Sequence, residues 1–327
     1  MLKSSHAIRN HKEKNTLTLK VNEFLNQKRI DQWISAKLEE LSRSYVQKEI
    51  KEGRITVNEK PVKPHYLLQF GDIIKIEKNT SQDKSKFKKV DVPIKIVHEE
   101  KDFLIINKSD DIAVHPAKSL DPKEPTIIDA IYNHLSDELK TSKSERPGIV
   151  HRLDKGTSGL LIIAKNKKTQ DYFLNQFKNR KIKKIYVALI KDNLKPEEGS
   201  IEAPLTRSKK NRKKITVSLS EKARYALSHY KILEYFKNSS FAEVKIVTGR
   251  THQIRVHLSA IHHPIIGDET YGDKKTNEYF KKKWGLTRPF LHAYKLTFTH
   301  PKTGKKQTVI APIETKLIKI LEALRKF

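Results

Sequence analysis

Apolar residues fall at helical spacing from Arg29 onward. Ile30, Trp33, Ile34, Leu38 and Leu41 recur every three or four positions and predict a first helix. Ser44, with Gln47 three residues on, fits a capping box that opens a second helix through Tyr45, Val46 and Ile50. Gly53 is placed to close that helix. Ile55 and Val57 then alternate with polar neighbours into the turn Asn58-Glu59-Lys60, and a further short strand is expected to end in Gly71-Asp72-Ile73-Ile74. Residues 18–78 therefore read as a small helix–helix–strand module. The polar residues 1–17 before it predict a flexible terminus, and residues 79–92, poor in apolar groups, predict a linker.

Residues 93–327 carry a different pattern. Phe103 to Ile106 and Leu160 to Ala164 are short β-rich apolar runs, as expected of buried strands. Ile185, Val187 and Leu189 alternate with Tyr186, Ala188 and Ile190; Val244 with Ile246 and Leu296 with Phe298 give two further strands. Thr126 is placed to cap a helix through Ile127, Ile128, Ala130, Ile131 and Leu135, and Thr169 to cap another through Phe173 and Phe177. Leu317, Ile320, Leu321 and Leu324 predict a final helix. Strands outnumber helices and connections are short. The expected class is α+β: a catalytic-sized domain on a mixed, largely antiparallel sheet with flanking helices, plus the small N-terminal module.

Charge narrows the function. The 327 residues hold 67 Lys and Arg against 38 Asp and Glu, a net charge of +29, which points to a polyanion such as nucleic acid. With no cysteine there is no thiol nucleophile, disulfide or Cys-ligated metal. The apolar runs are too short to span a membrane, and no secretory h-region opens the chain. His252, His257, His262 and His263 lack the acidic partners and spacing of a zinc site.

Two clusters carry candidate chemistry. In Pro147 to Leu160, His151, Arg152, Asp154 and Ser158 crowd into eight residues ahead of a strand. The segment reads equally as a glycine turn with a capping Asp and as a catalytic loop. A Ser-His-Asp triad is disfavoured, because Gly156-Thr157-Ser158-Gly159 is not a nucleophile elbow. The second cluster is Val247 to Leu258. If it is a strand, Gln253, Arg255 and His257 share one face, and Arg255 is placed to hold a carboxylate such as Asp154. The run Lys209-Lys210-Asn211-Arg212-Lys213-Lys214, between two strand-like segments, reads equally as a solvated loop and as a hairpin that grips RNA backbone.

These residues resemble a known family. His151-Arg152-Leu153-Asp154-Lys155-Gly156-Thr157-Ser158-Gly159-Leu160 and Gly249-Arg250-Thr251-His252-Gln253-Ile254-Arg255-Val256-His257 resemble signatures of the RluA/RluD-type pseudouridine synthases. Lys184-Ile185-Tyr186-Val187-Ala188, Leu291-His292-Ala293, Phe298 to Gly304 and Val114-His115-Pro116 are similar to further motifs of that family, in the same order. The N-terminal module resembles an S4-type RNA-binding domain through Arg29-Ile30-Asp31, Ser42 to Gln47, Gly53 to Asn58 and Gly71-Asp72.

The resemblance implies an enzyme that isomerises uridine to pseudouridine in structured RNA without cofactor or metal. It implies Asp154, Tyr186 and Arg255 as catalytic residues. His151, Arg152, Thr157, Gly249, Arg250, His252, Gln253 and His292 are implied around the substrate, with Arg152 as the wedge that fills the stack a flipped uridine leaves. Arg29, Ser42, Arg43, Gln47 and Lys51 are implied as RNA contacts of the N-terminal module. The expected substrate is large-subunit ribosomal RNA, with transfer RNA as the alternative. The expected form is a monomer in the cytoplasm, with an organelle as the alternative compartment. The competing reading is a non-catalytic RNA-binding or ribosome-assembly factor.

Overall fold

The computed structural model describes residues 16–22, 27–38, 41, 43–77, 92–116, 121, 124–141, 144, 146–212 and 214–326. The linker expected at 79–92 lies outside them but for its last residue, as do Ser42 and residues 1–15 of the expected flexible terminus. The chain divides into two compact units at Lys86/Phe87, with Thr141–Pro147 grouped with the first.

The first unit holds strand β1 (Thr16–Lys20), helices α1 (Ile30–Lys37) and α2 (Arg43–Lys51), and strands β2 (Ile55–Val57), β3 (Lys60–Pro61) and β4 (Ile73–Glu77). The strands form an antiparallel sheet in the order β1-β4-β2-β3. Its core joins the predicted stripe of Ile30, Trp33, Ile34 and Leu41 to Val46, Ile50, Ile55, Val57 and Ile74. Three details differ from expectation. β1 begins at Thr16, inside the segment expected to be flexible. Ser44 lies within α2 rather than capping it, because the helix already runs from Arg43. Gly71 takes φ +90° in a turn that opens β4, so the last strand begins at Ile73 where it was expected to end. Asn58 and Glu59 both take positive φ in the tight turn between β2 and β3, as their position predicted.

The second unit is built on strands β5 (Lys95–Glu99), β6 (Phe103–Lys108), β7 (Ser158–Ala164), β8 (Lys183–Lys191), β9 (Glu198–Glu202), β10 (Leu205–Arg207), β11 (Ile215–Val217), β12 (Leu227–Phe236), β13 (Ser239–Ile246), β14 (Leu291–Thr299) and β15 (Lys306–Ile310). Its helices are α3 (Ile127–Ile131), α4 (Asp137–Lys140), α5 (Lys167–Lys178), α6 (Gln253–Ala260), α7 (Lys274–Trp284) and α8 (Thr315–Leu324). The main sheet runs β5-β6-β7-β14-β8-β13-β12-β9. All its strand pairings are antiparallel except β7 with β14, so the sheet is mixed and largely antiparallel as predicted. β7 accompanies β14 only at His292 and Ala293; β15 takes over that edge from Lys295. β10 and β11 form a separate hairpin, and its loop holds the predicted Lys209–Lys214 run.

Both faces of the sheet are covered, which explains its continuous apolar strands. Leu104, Ile106, Leu161 and Ile163 enter one core cluster, while Phe103, Ile105, Leu160 and Ile162 enter another across the sheet. β8 divides in the same way: Tyr186, Ala188 and Ile190 on one face, Val187 and Leu189 on the other. Each such buried aliphatic side chain contributes roughly 1.5–3 kcal/mol. Thr126 caps α3 as expected, with the Asp129 carboxylate accepting from its N–H and hydroxyl at 2.8 and 2.7 Å. α5 is capped by Asn166 rather than by Thr169. The Asn166 side chain accepts from Thr169 N at 2.9 Å, so Thr169 is the third residue inside the helix.

The join between β7 and β14 requires glycine. Gly159 has φ +112°, and a Cβ there would lie 2.3 Å from the Ala293 carbonyl oxygen. Gly159→Ala is expected to destabilise the second unit by about 2–4 kcal/mol, from backbone strain plus overpacking. A lowered urea midpoint in its unfolding transition checks this.

Candidate active site

A cleft of about 500 Å³ opens in the second unit, lined by Asp154, Tyr186 and Arg255 together with His151, Arg152, Thr157, Gly249, Arg250, His252 and Gln253. Of the residues expected around the substrate, only His292 does not line it. That side chain is fully buried in β14 and shares the Ser158 hydroxyl through Nδ1 at 2.9 Å.

Asp154 stands just ahead of β7, where its carbonyl accepts from Thr157 N at 3.0 Å and closes a turn over Lys155-Gly156. Its carboxylate is one-fifth exposed and faces Arg255, whose Nη1 lies 3.4 Å from Oδ2. The Arg255–Asp154 partnership expected from sequence is therefore present, but its geometry is not that of a strand. Residues 253–260 form α6. Positions two apart on a helix diverge by about 200°, and positions four apart share a face. Gln253 and His257 accordingly meet at the Ser228 hydroxyl, at 2.9 and 3.0 Å, while Arg255 turns to the cleft. The strand-like alternation of Ile254, Val256 and Leu258 arises because residues 253–258 are all buried, the polar Gln253, Arg255 and His257 as well as the apolar three. Ile254 and Leu258 pack on the main core and Val256 on a smaller one.

The residue that fixes Arg255 is Asp268, which the sequence reading missed. This fully buried carboxylate accepts from Arg255 Nε at 2.6 Å and Nη2 at 2.9 Å, and from the backbone N–H groups of Thr270 and Tyr271. Burial is the largest influence on the Asp268 pKa and would raise it; the Arg255 hydrogen bonds and charge, with the Tyr271 and Thr270 N–H groups, together hold the carboxyl below its ordinary range. Burial likewise works most strongly against charge on Arg255, and the Asp268 hydrogen bond and charge, joined by Asp154 and Tyr271, together reverse that and raise its pKa. The available signal was an acid directly after the apolar Ile265-Ile266 and Gly267.

Gln253 is a scaffold. Its oxygen accepts from Thr248 Oγ1 and Arg250 N, and its nitrogen donates to Leu227 O and Ser228 Oγ. That uses its full capacity for strong hydrogen bonds. His151 is also committed: Nε2 accepts from Ile162 N at 2.9 Å, and the ring stacks on Phe177 at 4.5 Å. Burial, with Lys184 nearby, pushes its pKa down to about 3. Arg152 is exposed at the cleft and meets His115 of the early motif at 3.3 Å.

Tyr186 reaches the cleft from β8. Burial first, then the Asp154 charge, raise its pKa, so the phenol holds its proton. Lys184, two residues earlier on the same face, also lines the cleft; that alternation was the signal for it. Its ammonium donates to Thr248 O at 3.3 Å, and burial, with Arg180, lowers its pKa to about 8. Lys108 is buried against the carbonyls of Ser109 and Ile112 and lowered to about 8 by that burial, against the pull of Asp110, Asp111 and Asp154. Among the described residues no group of three or more His, Asp or Glu side chains is placed to hold a metal ion.

In the first unit, three of the residues expected to contact RNA, Arg29, Arg43 and Gln47, gather on an acid. Asp31 is fully buried and receives Arg29 Nε and Nη2, each at 3.0 Å, Arg43 Nε at 2.9 Å, and the Gln47 amide. Burial would raise its pKa, but these donors lower it. Lys51 is exposed at the end of α2. Arg43, Gln47 and Lys51 lie on one helical face by their spacing.

Comparison with known proteins agrees with this geometry. The RNA pseudouridylate synthase family pattern matches residues 102–260, and the S4 domain pattern matches residues 28–74. An uncharacterized RNA pseudouridine synthase of Bacillus subtilis is 34% identical, with 95% of this chain and 99% of the relative covered. The ribosomal large subunit pseudouridine synthase D of Neisseria meningitidis is 35% identical over 91% of this chain and 79% of the relative. The solved structure of human RNA pseudouridylate synthase domain containing 4 superposes with a TM-score of 0.56 at 26% identity, covering 71% of this chain and 93% of that one. The chain belongs to the RNA pseudouridine synthase family, with an S4 domain at its N-terminal side. It is an isomerase acting on RNA.

Two outcomes follow from the site. Asp268→Asn keeps the shape but removes the charge that compensates buried Arg255. It is expected to lower stability by about 3 kcal/mol and to cut the catalytic rate at least tenfold, read from urea unfolding and turnover. The second concerns pH. Burial lowers the pKa of His151, His252, His257 and His292, the last to about 4. Below about pH 6.5 the unfolded chain takes up protons that these folded rings refuse. Stability is therefore expected to be full above that pH and to fall as pH drops from about 6.5 toward 4. His151→Gln, measured by denaturation at successive pH values, should flatten the slope.

Proposed function

We propose that this chain converts uridine to pseudouridine in large-subunit ribosomal RNA, with Asp154 as the reacting carboxylate and no cofactor. The observation that carries the reading is the placement of the Asp154 carboxylate against Arg255 in a cleft that Tyr186 also lines. The reaction breaks the bond from ribose C1′ to N1 of uracil, turns the base, joins C1′ to C5, and releases the C5 proton. A carboxylate serves either by adding to C6 of the base or by assisting cleavage at the sugar. Arg255 aims and balances that carboxylate. Tyr186, holding its proton, stacks on the base and donates rather than acting as a resting base. Arg152, exposed at the cleft, fills the gap left by the extruded uridine. Gly249, Arg250, Thr157, His151, His252 and Gln253 shape the pocket. His292 acts from behind it.

We assign residues 18–78 to RNA binding, 79–92 to a linker and 93–327 to catalysis. In the first of these, Arg29, Ser42, Arg43, Gln47 and Lys51 are the proposed contacts. Ribosomal RNA is favoured because relatives such as the Neisseria protein are named for the large ribosomal subunit; transfer RNA is the alternative substrate. The proposed form is a cytoplasmic monomer. An organelle is the alternative compartment, as for an Arabidopsis relative named chloroplastic. Among the described residues no helix is long and apolar enough to cross a membrane.

The test is tritium release from ribosomal RNA labelled at C5 of uracil and taken from cells lacking this protein. Wild type should release tritium and Asp154→Asn should not. Release by both would remove Asp154 from the centre. Release by neither, with RNA bound, would favour a binding factor.

A further inference from the structure

Tyr271 lies outside every motif singled out above, yet three parts of the second unit meet on it. Its hydroxyl lies 2.8 Å from the backbone N of Ile215, the first residue of β11. The same oxygen lies 2.8 Å from His252 Nδ1. Its ring face carries the Arg255 guanidinium, 5.0 Å from the centroid. The phenol therefore connects the hairpin bearing exposed Lys209, Lys210, Arg212 and Lys214 to both side chains that face Asp154.

The donors and acceptors decide what passes through this connection. A backbone N–H only donates, so Ile215 occupies a lone pair of the phenol. Among the described residues the other polar atom at the hydroxyl is His252 Nδ1. That nitrogen is the acceptor within reach of the phenol proton. A neutral imidazole that accepts at Nδ1 carries its hydrogen on Nε2. His252 Nε2 is the ring nitrogen nearer the carboxylate, 3.8 Å from Asp154 Oδ2. Burial favours the neutral ring. His252 itself sits at φ +57° ahead of α6, a backbone position that restricts where its ring can go.

We propose that Tyr271 is a positioning residue that couples the basic hairpin to the reacting carboxylate: the Ile215 N–H holds the phenol so that it donates to His252 Nδ1, and His252 then presents Nε2–H toward Asp154. Seating the hairpin on RNA backbone fixes Ile215, and so fixes the donor that His252 offers. Lifting the hairpin frees the phenol and lets the imidazole exchange tautomers. The proposal rests on the assignment of Asp154 as the reacting carboxylate, but its spectroscopic part can be read without turnover.

The experiment is nitrogen-15 NMR of the imidazoles, with His252 assigned by His252→Gln, alongside steady-state kinetics on unmodified ribosomal RNA. Tyr271→Phe keeps the ring under Arg255 and removes only the hydroxyl. Wild type should carry its His252 proton on Nε2. Tyr271→Phe should mix the two tautomers and lower kcat about tenfold with KM unchanged, the pattern of a lost transition-state interaction. Ile215→Pro, which deletes the N–H from the other side of the same hydrogen bond, should mix the tautomers too. A wild-type His252 protonated on Nδ1 overturns the proposal, as does Tyr271→Phe with an unchanged tautomer and kcat. Wild-type protein inert on the RNA would instead overturn the pseudouridine assignment, with the tautomer still decided by the spectrum.

Discussion

The second unit is organised around one buried ion pair. Asp268 takes two of the three guanidinium nitrogens of Arg255 and leaves the third for Asp154. An arginine in a site this dry needs a full counter-charge. If Asp154 alone supplied it, the two would be drawn into a tight pair. With Asp268 as its close partner, Arg255 reaches Asp154 at 3.4 Å, a looser contact than the 2.6 and 2.9 Å bonds to Asp268. The turn over 268–271, the left-handed His252 and the all-round burial of α6 all serve to keep that guanidinium in place.

The N-terminal unit uses the same device with the signs exchanged. There one buried acid, Asp31, gathers Arg29, Arg43 and Gln47. Long basic side chains lose much rotamer freedom when they bind phosphate. Here the shared carboxylate orders Arg29 and Arg43 within the protein itself. A net charge of +29 is thus not spread evenly in its effect: a few cations are ordered by buried acids, and many remain on flexible stems.

Much of this was legible in the chain. Continuous apolar runs identified the strands at Phe103 and Leu160, alternation the strand through Tyr186, and helical spacing the helices at both ends, because burial is written directly into apolar pattern. The pairing of Arg255 with Asp154 was legible from residue type. Its setting was not: a helix buried on every side loses the polar stripe that marks helical period, so Ile254, Val256 and Leu258 looked like a strand. Asp268 and Tyr271 were hidden for a different reason. Asp268 meets Arg255 across 13 residues and Tyr271 meets Ile215 across 56, and no local pattern records a contact made only by folding. The caps at Ser44 and Thr169 failed because a hydroxyl near a helix start is equally at home at the cap or inside the first turn.

Gln253 has a wider meaning. Every strong hydrogen bond that its amide can make is made within the protein, and these bonds tie Thr248, Arg250, Leu227 and Ser228 into one frame. A rim so closed cannot remodel itself around different substrates. The burden of fitting then falls on the RNA, whose strand must bend and unstack to bring a uridine in. Where a protein rim is fixed, the ease with which a nucleic acid deforms sorts its sites alongside what its bases spell.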